Sequence, residues 1–186
     1  MHFTIIDKKI LLKLAGDAVE NYILSGENRI AEPSDITRNI QKKCGAFVSA
    51  YVKGNLRGCL GTFAEDEPVF KVVQKMAIAS VSNDSRFERV NISEIPELEL
   101  EISVLTPRKK IYDPSEIEIG KHGIYLSKGL NRGTFLPQVA VSQNWSAEEY
   151  LSNCSRYKAG MGWDGWRDAD KYVFEAIVFK SSDYNR

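Results

Sequence analysis

Asn55-Leu56-Arg57-Gly58-Cys59-Leu60-Gly61 puts a guanidinium, a thiol and two glycines into one short segment. Glycine in a strand loses side-chain contacts and costs backbone entropy, so the concentration marks a candidate site. A neighbouring cation favours thiolate over thiol, and the thiolate is the form that attacks electrophiles. Cys59 is therefore a candidate nucleophile with Arg57 as its cation. His122 in Gly120-Lys121-His122-Gly123 is a candidate base, because imidazole exchanges protons near neutral pH. Gly58 and Gly61 are positions where a ligand would meet bare backbone. The plainer reading makes Cys59 a small residue fitted to a crowded strand and His122 a surface residue of a turn.

Asp84 and Arg86 in Asp84-Ser85-Arg86-Phe87 either bind a ligand or pair with each other to fix a loop. Gln138, after Pro137, presents an amide that reads a polar ligand or satisfies buried backbone groups. Trp163 and Trp166 sit in a Gly-rich loop as a lid, a partner patch or core plugs. Cys44 opens a strand and Cys154 falls on the apolar stripe of a helix, so both read as structural. His2 and His122 are the only imidazoles, and no pair of ligands has metal spacing, so no metal or other cofactor is assigned. No Ser-His-Asp order, phosphate-binding loop or dinucleotide fingerprint is present; Gly58 and Gly61 lie within a strand.

The elements that position these residues follow from periodicity. Asp7 can cap a first helix carrying Ile10, Leu11, Leu14, Ala18 and Tyr22 at helical spacing, and Gly26 can end it. A shorter helix is expected from Asp35 to about Lys43. Residues 45–52 read as a strand, Lys53-Gly54-Asn55 as a hairpin turn, and the Arg57/Cys59 segment as the second strand. Alternation then puts Arg57, Cys59 and Gly61 on one face. Glu65-Asp66-Glu67-Pro68 opens a helix, Leu98 to Val104 alternates as a half-buried strand, and Ser146-Ala147-Glu148-Glu149 opens a late helix. Residues 117–141 are Gly-rich with short apolar runs, which suggests a small β insertion. The whole reads as α+β with mainly antiparallel sheet.

The 186 residues suffice for one core or a main body with a smaller lobe. With 25 basic and 25 acidic residues the chain lacks the basic surplus that counterion displacement requires, which argues against nucleic acid as a partner. Lys42-Lys43 and Arg108-Lys109-Lys110 read as solvated turns. No apolar run approaches the roughly 20 residues of a membrane span. Three well-separated cysteines and an N-terminus without a signal-peptide pattern fit a reducing cytoplasm.

Taken in order, Cys44-Gly45-Ala46-Phe47-Val48, Leu56-Arg57-Gly58-Cys59-Leu60-Gly61, Asp84-Ser85-Arg86-Phe87, Glu101-Ile102-Ser103-Val104-Leu105, Gly120-Lys121-His122-Gly123, Leu136-Pro137-Gln138-Val139-Ala140 and Lys158-Ala159-Gly160 form a recognisable set. The set closely resembles the AMME-syndrome candidate protein family, whose prokaryotic members are called AmmeMemoRadiSam system protein A. Leu60 stands where that family often has Ile, and Ser85 where it often has Pro. The resemblance implies two lobes: residues 1–106 with 143–186 as the larger, and an inserted β lobe over 107–142. It also implies a cleft near the Arg57–Gly61 strand, and an association with a Memo-like protein and a radical SAM enzyme. It implies no established activity.

Two functions follow as expectations. One is a binding or accessory component, holding a small polar ligand and working with Memo-like and radical SAM partners. The other is an enzyme using Cys59, with Arg57 and His122, on a small molecule or a modified macromolecule. Few ionisable groups of catalytic type favour the first.

Overall fold

A computed structural model describes residues 2–184. Its first helix, α1 (Ile5–Ser25), starts one turn earlier than the Asp7 cap expected from sequence. Thr4 is the N-cap, and Asp7 is the return half of a capping box, its carboxylate accepting from Thr4 N–H. The same carboxylate accepts from Thr37 Oγ1 at 2.5 Å and Asn39 Nδ2 at 2.8 Å. Burial pushes the Asp7 carboxyl up, but the bonds from Thr37, Asn39 and Thr4 outweigh it and hold the group below its ordinary value. Gly26 ends the helix in the left-handed region, φ 75°, as its sequence position suggests.

No helix forms over 35–43, where one was expected; the segment is turns and bends. Its polar side chains explain this. Thr37 and Asn39 bind Asp7, and Thr37 Oγ1 also accepts from Ile40 N–H, so side chains compete with the helical ladder.

Strands β1 (Ala46–Val52) and β2 (Asn55–Thr62) form the expected hairpin, turned by Lys53 at φ 51° and Gly54 at φ 76°. After α2 (Val69–Ser82), β3 (Leu98–Leu105) pairs antiparallel with the other side of β1. Ala46, Val48 and Ala50 alternate into a core with Leu11, Ala15 and Val19 of α1 and Val73 and Ala77 of α2.

Chain contacts divide the molecule into two compact units, residues 1–105 with 177–186, and residues 106–176. The second unit holds β4 (Lys109–Ile111), β5 (His122–Lys128), β6 (Asn131–Phe135), α3 (Pro137–Ser142), α4 (Ala147–Tyr157) and β7 (Asp170–Lys180) as far as Ala176. All strand pairs here are antiparallel: β4 with β7, β7 with β5, and β5 with β6. Over residues 107–142 the helical structure is the six-residue α3 and a three-residue 3-10 turn, Pro114–Glu116. Helix α4, which the sequence reading assigns to the larger lobe, belongs instead to the second unit. Its Tyr150, Leu151 and Cys154 pack with Ile111, Ile124, Leu126, Val173 and Trp166. Trp166 is thus a core residue, its Nε1–H donating to Ser152 Oγ at 2.9 Å.

Candidate functional site

Hairpin register decides where the Arg57/Cys59 side chains stand. Ala50 opposes Gly58 while Tyr51 opposes Leu56, so Arg57 is an extra residue in β2, a bulge. Simple alternation therefore fails at Arg57. Its guanidinium donates to Glu94 Oε1 and, at 3.3 Å, to Glu88 O. Both partners of this ion pair are about four-fifths covered, with side chains 22% and 19% exposed. Glu94 also accepts from Asn91 N–H at 3.0 Å, and these bonds hold its carboxyl below the ordinary value.

Cys59 lies two residues along β2, whose only strand partner among the described residues is β1. Its backbone N–H donates to Asp84 Oδ2 at 2.9 Å, and its carbonyl accepts from Arg86 Nη2 at 3.1 Å. Asp84 also accepts from Arg86 N–H, Nε and Nη2, at 3.2, 2.9 and 2.7 Å. The Asp84–Arg86 pair thus stands where another strand would pair, satisfying an edge that is otherwise open. Hydrogen bonding from the Arg86 guanidinium holds the Asp84 carboxyl well below the usual carboxylate range. Asp84 is 7% exposed, whereas the Arg86 side chain is 61% exposed. The cation that β2 brings to Cys59 is therefore Arg86; Arg57 is committed to Glu94.

Packing accounts for both glycines. A Cβ on Gly58 would lie 1.8 Å from Ser80 O, because α2 backbone rests directly on β2. A Cβ on Gly61 would lie 2.2 Å from Cγ of Phe47, whose ring covers the glycine.

Outward-facing residues of this sheet were not singled out by sequence reasoning. Ser49 of β1 opposes Cys59 on one side and Glu101 of β3 on the other, giving a row of thiol, hydroxyl and carboxylate. Cys59 directs its N–H and C=O away from β1, so the Cys59–Ser49 pair is of the non-hydrogen-bonded kind, with Cβ atoms about 4.5–5.5 Å apart. Gly61, Phe47 and Ser103 form the neighbouring row. All six residues are half-exposed. Glu101 is paired with Lys180 Nζ at 3.3 Å. Among the described residues, no side chain hydrogen-bonds the Cys59 thiol or the Ser49 hydroxyl. The alternation Phe47/Ser49/Tyr51 held the signal; the register needed to use it is not written in either strand alone.

His122 and Gln138 belong to the second unit. His122 begins β5, and its Nδ1 accepts from Glu118 N–H at 3.1 Å, which leaves the proton of the neutral ring on Nε2. Gln138 is exposed in the first turn of α3, so it satisfies no buried backbone group there. Cys44 and Cys154 are fully buried, and burial pushes each thiol up to about 12. Among the described residues, no three His, Cys, Asp or Glu side chains converge to hold a metal ion. No described helix is long and apolar enough to cross a membrane.

Comparison with known proteins adds the family. Protein MK0488 of Methanopyrus kandleri is 37% identical over 191 residues, covering 97% of this chain and 91% of that protein. Protein PF1979 of Pyrococcus furiosus is 36% identical over 184 residues, covering 92% of this chain and 87% of that protein. The crystal structure of the uncharacterized protein PH0010 from Pyrococcus horikoshii superposes with a TM-score of 0.78 at 35% identity, covering 91% of this chain and 89% of that one. The AMMECR1 family model matches residues 12–179, and the chain belongs to the AMMECR1 family.

Proposed function

We propose that this chain is a binding or accessory component that seats a small polar ligand on the outer face of the first unit's sheet, around Cys59, Ser49 and Glu101. One observation carries the reading. The charged residues of the motifs are engaged in holding backbone and loops: Asp84 and Arg86 on Cys59, Arg57 on Glu94 and Glu88. The thiol and hydroxyl beside them have no protein hydrogen-bond partner among the described residues, and a polar ligand supplies one. A nucleophilic role for Cys59 needs a base in hydrogen-bond reach. Glu101 stands two strands away, about 9–10 Å at the usual strand spacing.

The same reading makes the chain a cytoplasmic partner of a Memo-like protein and a radical SAM enzyme, which rests on the family resemblance. The test is reconstitution with those two proteins using wild type, Cys59→Ala and Ser49→Val. The binding reading expects weaker assembly or ligand uptake in the variants, and a reaction that persists at saturating concentration. Intact assembly with a reaction abolished by Cys59→Ala would instead assign Cys59 to the chemistry.

A further inference from the structure

In the first unit, the ends of α1 and α2 and the connector that leaves α2 line an open cleft of about 490 Å³. None of its lining residues belongs to the Cys59 row. Apolar walls come from Tyr22 and Ile23 of α1, Val81 of α2, and Ile92, which is 59% exposed. Among the described residues, no acidic side chain lines the cleft, and its one charged lining residue is the exposed Arg89. Arg89 Nε donates to Ser82 O at 3.1 Å, the last carbonyl of α2. That bond orients the guanidinium and leaves Nη1 and Nη2 without a protein partner among the described residues. Asn91 is similar: its Oδ1 accepts from Ser93 N–H at 3.0 Å and Ser93 Oγ at 2.6 Å, while its Nδ2 is unspent. The Ser82 hydroxyl donates to Ile78 O at 2.7 Å, and Glu94, which accepts from Asn91 N–H, is paired with Arg57. The unspent groups of Arg89 and Asn91 are therefore all donors, set beside an apolar wall.

We propose that this cleft binds a monocarboxylate with an apolar body, the carboxylate on Arg89 and Asn91 and the body along Tyr22, Ile23, Val81 and Ile92. A guanidinium meets a carboxylate through two parallel N–H bonds, and Nη1 and Nη2 are the pair that Arg89 has left to offer. An Arg that only capped α2 would need neither of them. One cation suits one negative charge, whereas a phosphate monoester carries nearly two. The volume of the cleft lies within the range of small-molecule sites, roughly 300–1,000 Å³. Each methylene that the walls fully cover strengthens binding about fourfold, so affinity should grow with the length of the apolar body.

Calorimetric titration of the full chain with octanoate tests this, with octanamide and butanoate as the other probes. Expected is saturable binding of octanoate with Kd of about 1 mM or tighter, and binding at least about tenfold weaker for octanamide, which lacks the charge, and for butanoate, which lacks four methylenes. Arg89→Gln should weaken octanoate about tenfold and octanamide far less, while Arg89→Lys, which keeps the charge but not the fork, should fall between wild type and Arg89→Gln. Ile92→Ser leaves the α2 cap untouched and should weaken octanoate several-fold. Thermal melts establish that each variant is folded. The proposal is overturned if octanoate shows no saturable binding in the millimolar range, if octanamide binds as tightly as octanoate, or if Ile92→Ser or a folded Arg89→Gln binds as wild type does.

Discussion

Replacing Asp84 by Ala should cost far more than replacing its partner Arg86, although the two form one ion pair. Asp84 is almost covered and accepts four hydrogen bonds, one from Cys59 N–H and three from Arg86. Its loss leaves the Cys59 amide without a partner beside α2, a penalty of about 1–3 kcal/mol. The guanidinium is 61% exposed, so solvent screens its share to about 0–1 kcal/mol. Asp84→Ala should therefore destabilise by about 2–3 kcal/mol and Arg86→Ala by no more than about 1 kcal/mol. For a chain of this size the first corresponds to a fall in Tm of about 4–12 °C. Thermal melts give the totals, and hydrogen exchange at Cys59 N–H reads the local effect, which should be lost in Asp84→Ala and largely kept in Arg86→Ala. Equal costs for the two substitutions, or a Cys59 amide that stays protected without Asp84, would refute the edge-sealing role.

The Asp84 carboxyl titrates lower in the folded chain than in the unfolded one, so its contribution is whole above the unfolded pKa of about 3.9 and drains away as pH falls below it. Asp84→Asn should accordingly flatten the acid limb of a stability-versus-pH curve, and an unchanged limb contradicts this. Gly58→Ala forces a methyl onto Ser80 O and should cost at least about 2 kcal/mol, visible in the same melts; a near-neutral result would mean α2 can slide off β2. Glu94→Ala removes both the Asn91 cap and the Arg57 partner and should cost about 1–2 kcal/mol, more than Arg57→Met, as measured by denaturant unfolding. In the native chain iodoacetamide should modify Cys59 alone. Cys44 and Cys154 should react only on unfolding, because both are buried and their thiols are pushed up to about 12; peptide mass spectrometry would show the order.

Local patterns announced much of this fold. The helical spacing ending at Gly26, the Lys53-Gly54-Asn55 turn and the alternation from Leu98 to Val104 each specify an element by themselves, and each is present. Features that depend on distant partners were not legible. The bulge at Arg57 is a matter of register against β1, and Gly58 beside it is where α2 backbone rests on β2. The helix expected over 35–43 gives way to bonds with Asp7, thirty residues and more upstream. The apolar stripe of α4 was plain, but which core it joins is a tertiary fact. In the candidate site, Cys59, Asp84 and Arg86 were named from sequence and do come together. That Asp84 and Arg86 serve the Cys59 backbone, and that Ser49 and Glu101 complete its row, required the pairing of three strands.

If the face carrying Cys59 is where this protein binds, the alkylation rate of Cys59 reports the binding. Iodoacetamide labelling of that one thiol would be followed by mass spectrometry, for the chain alone and for the chain saturated with the proposed Memo-like and radical SAM proteins and a small-molecule pool. Cys59 labelling should slow several-fold in the complex, with Ser49→Val losing most of that protection. A Cys59 rate unchanged by saturating partners would contradict it.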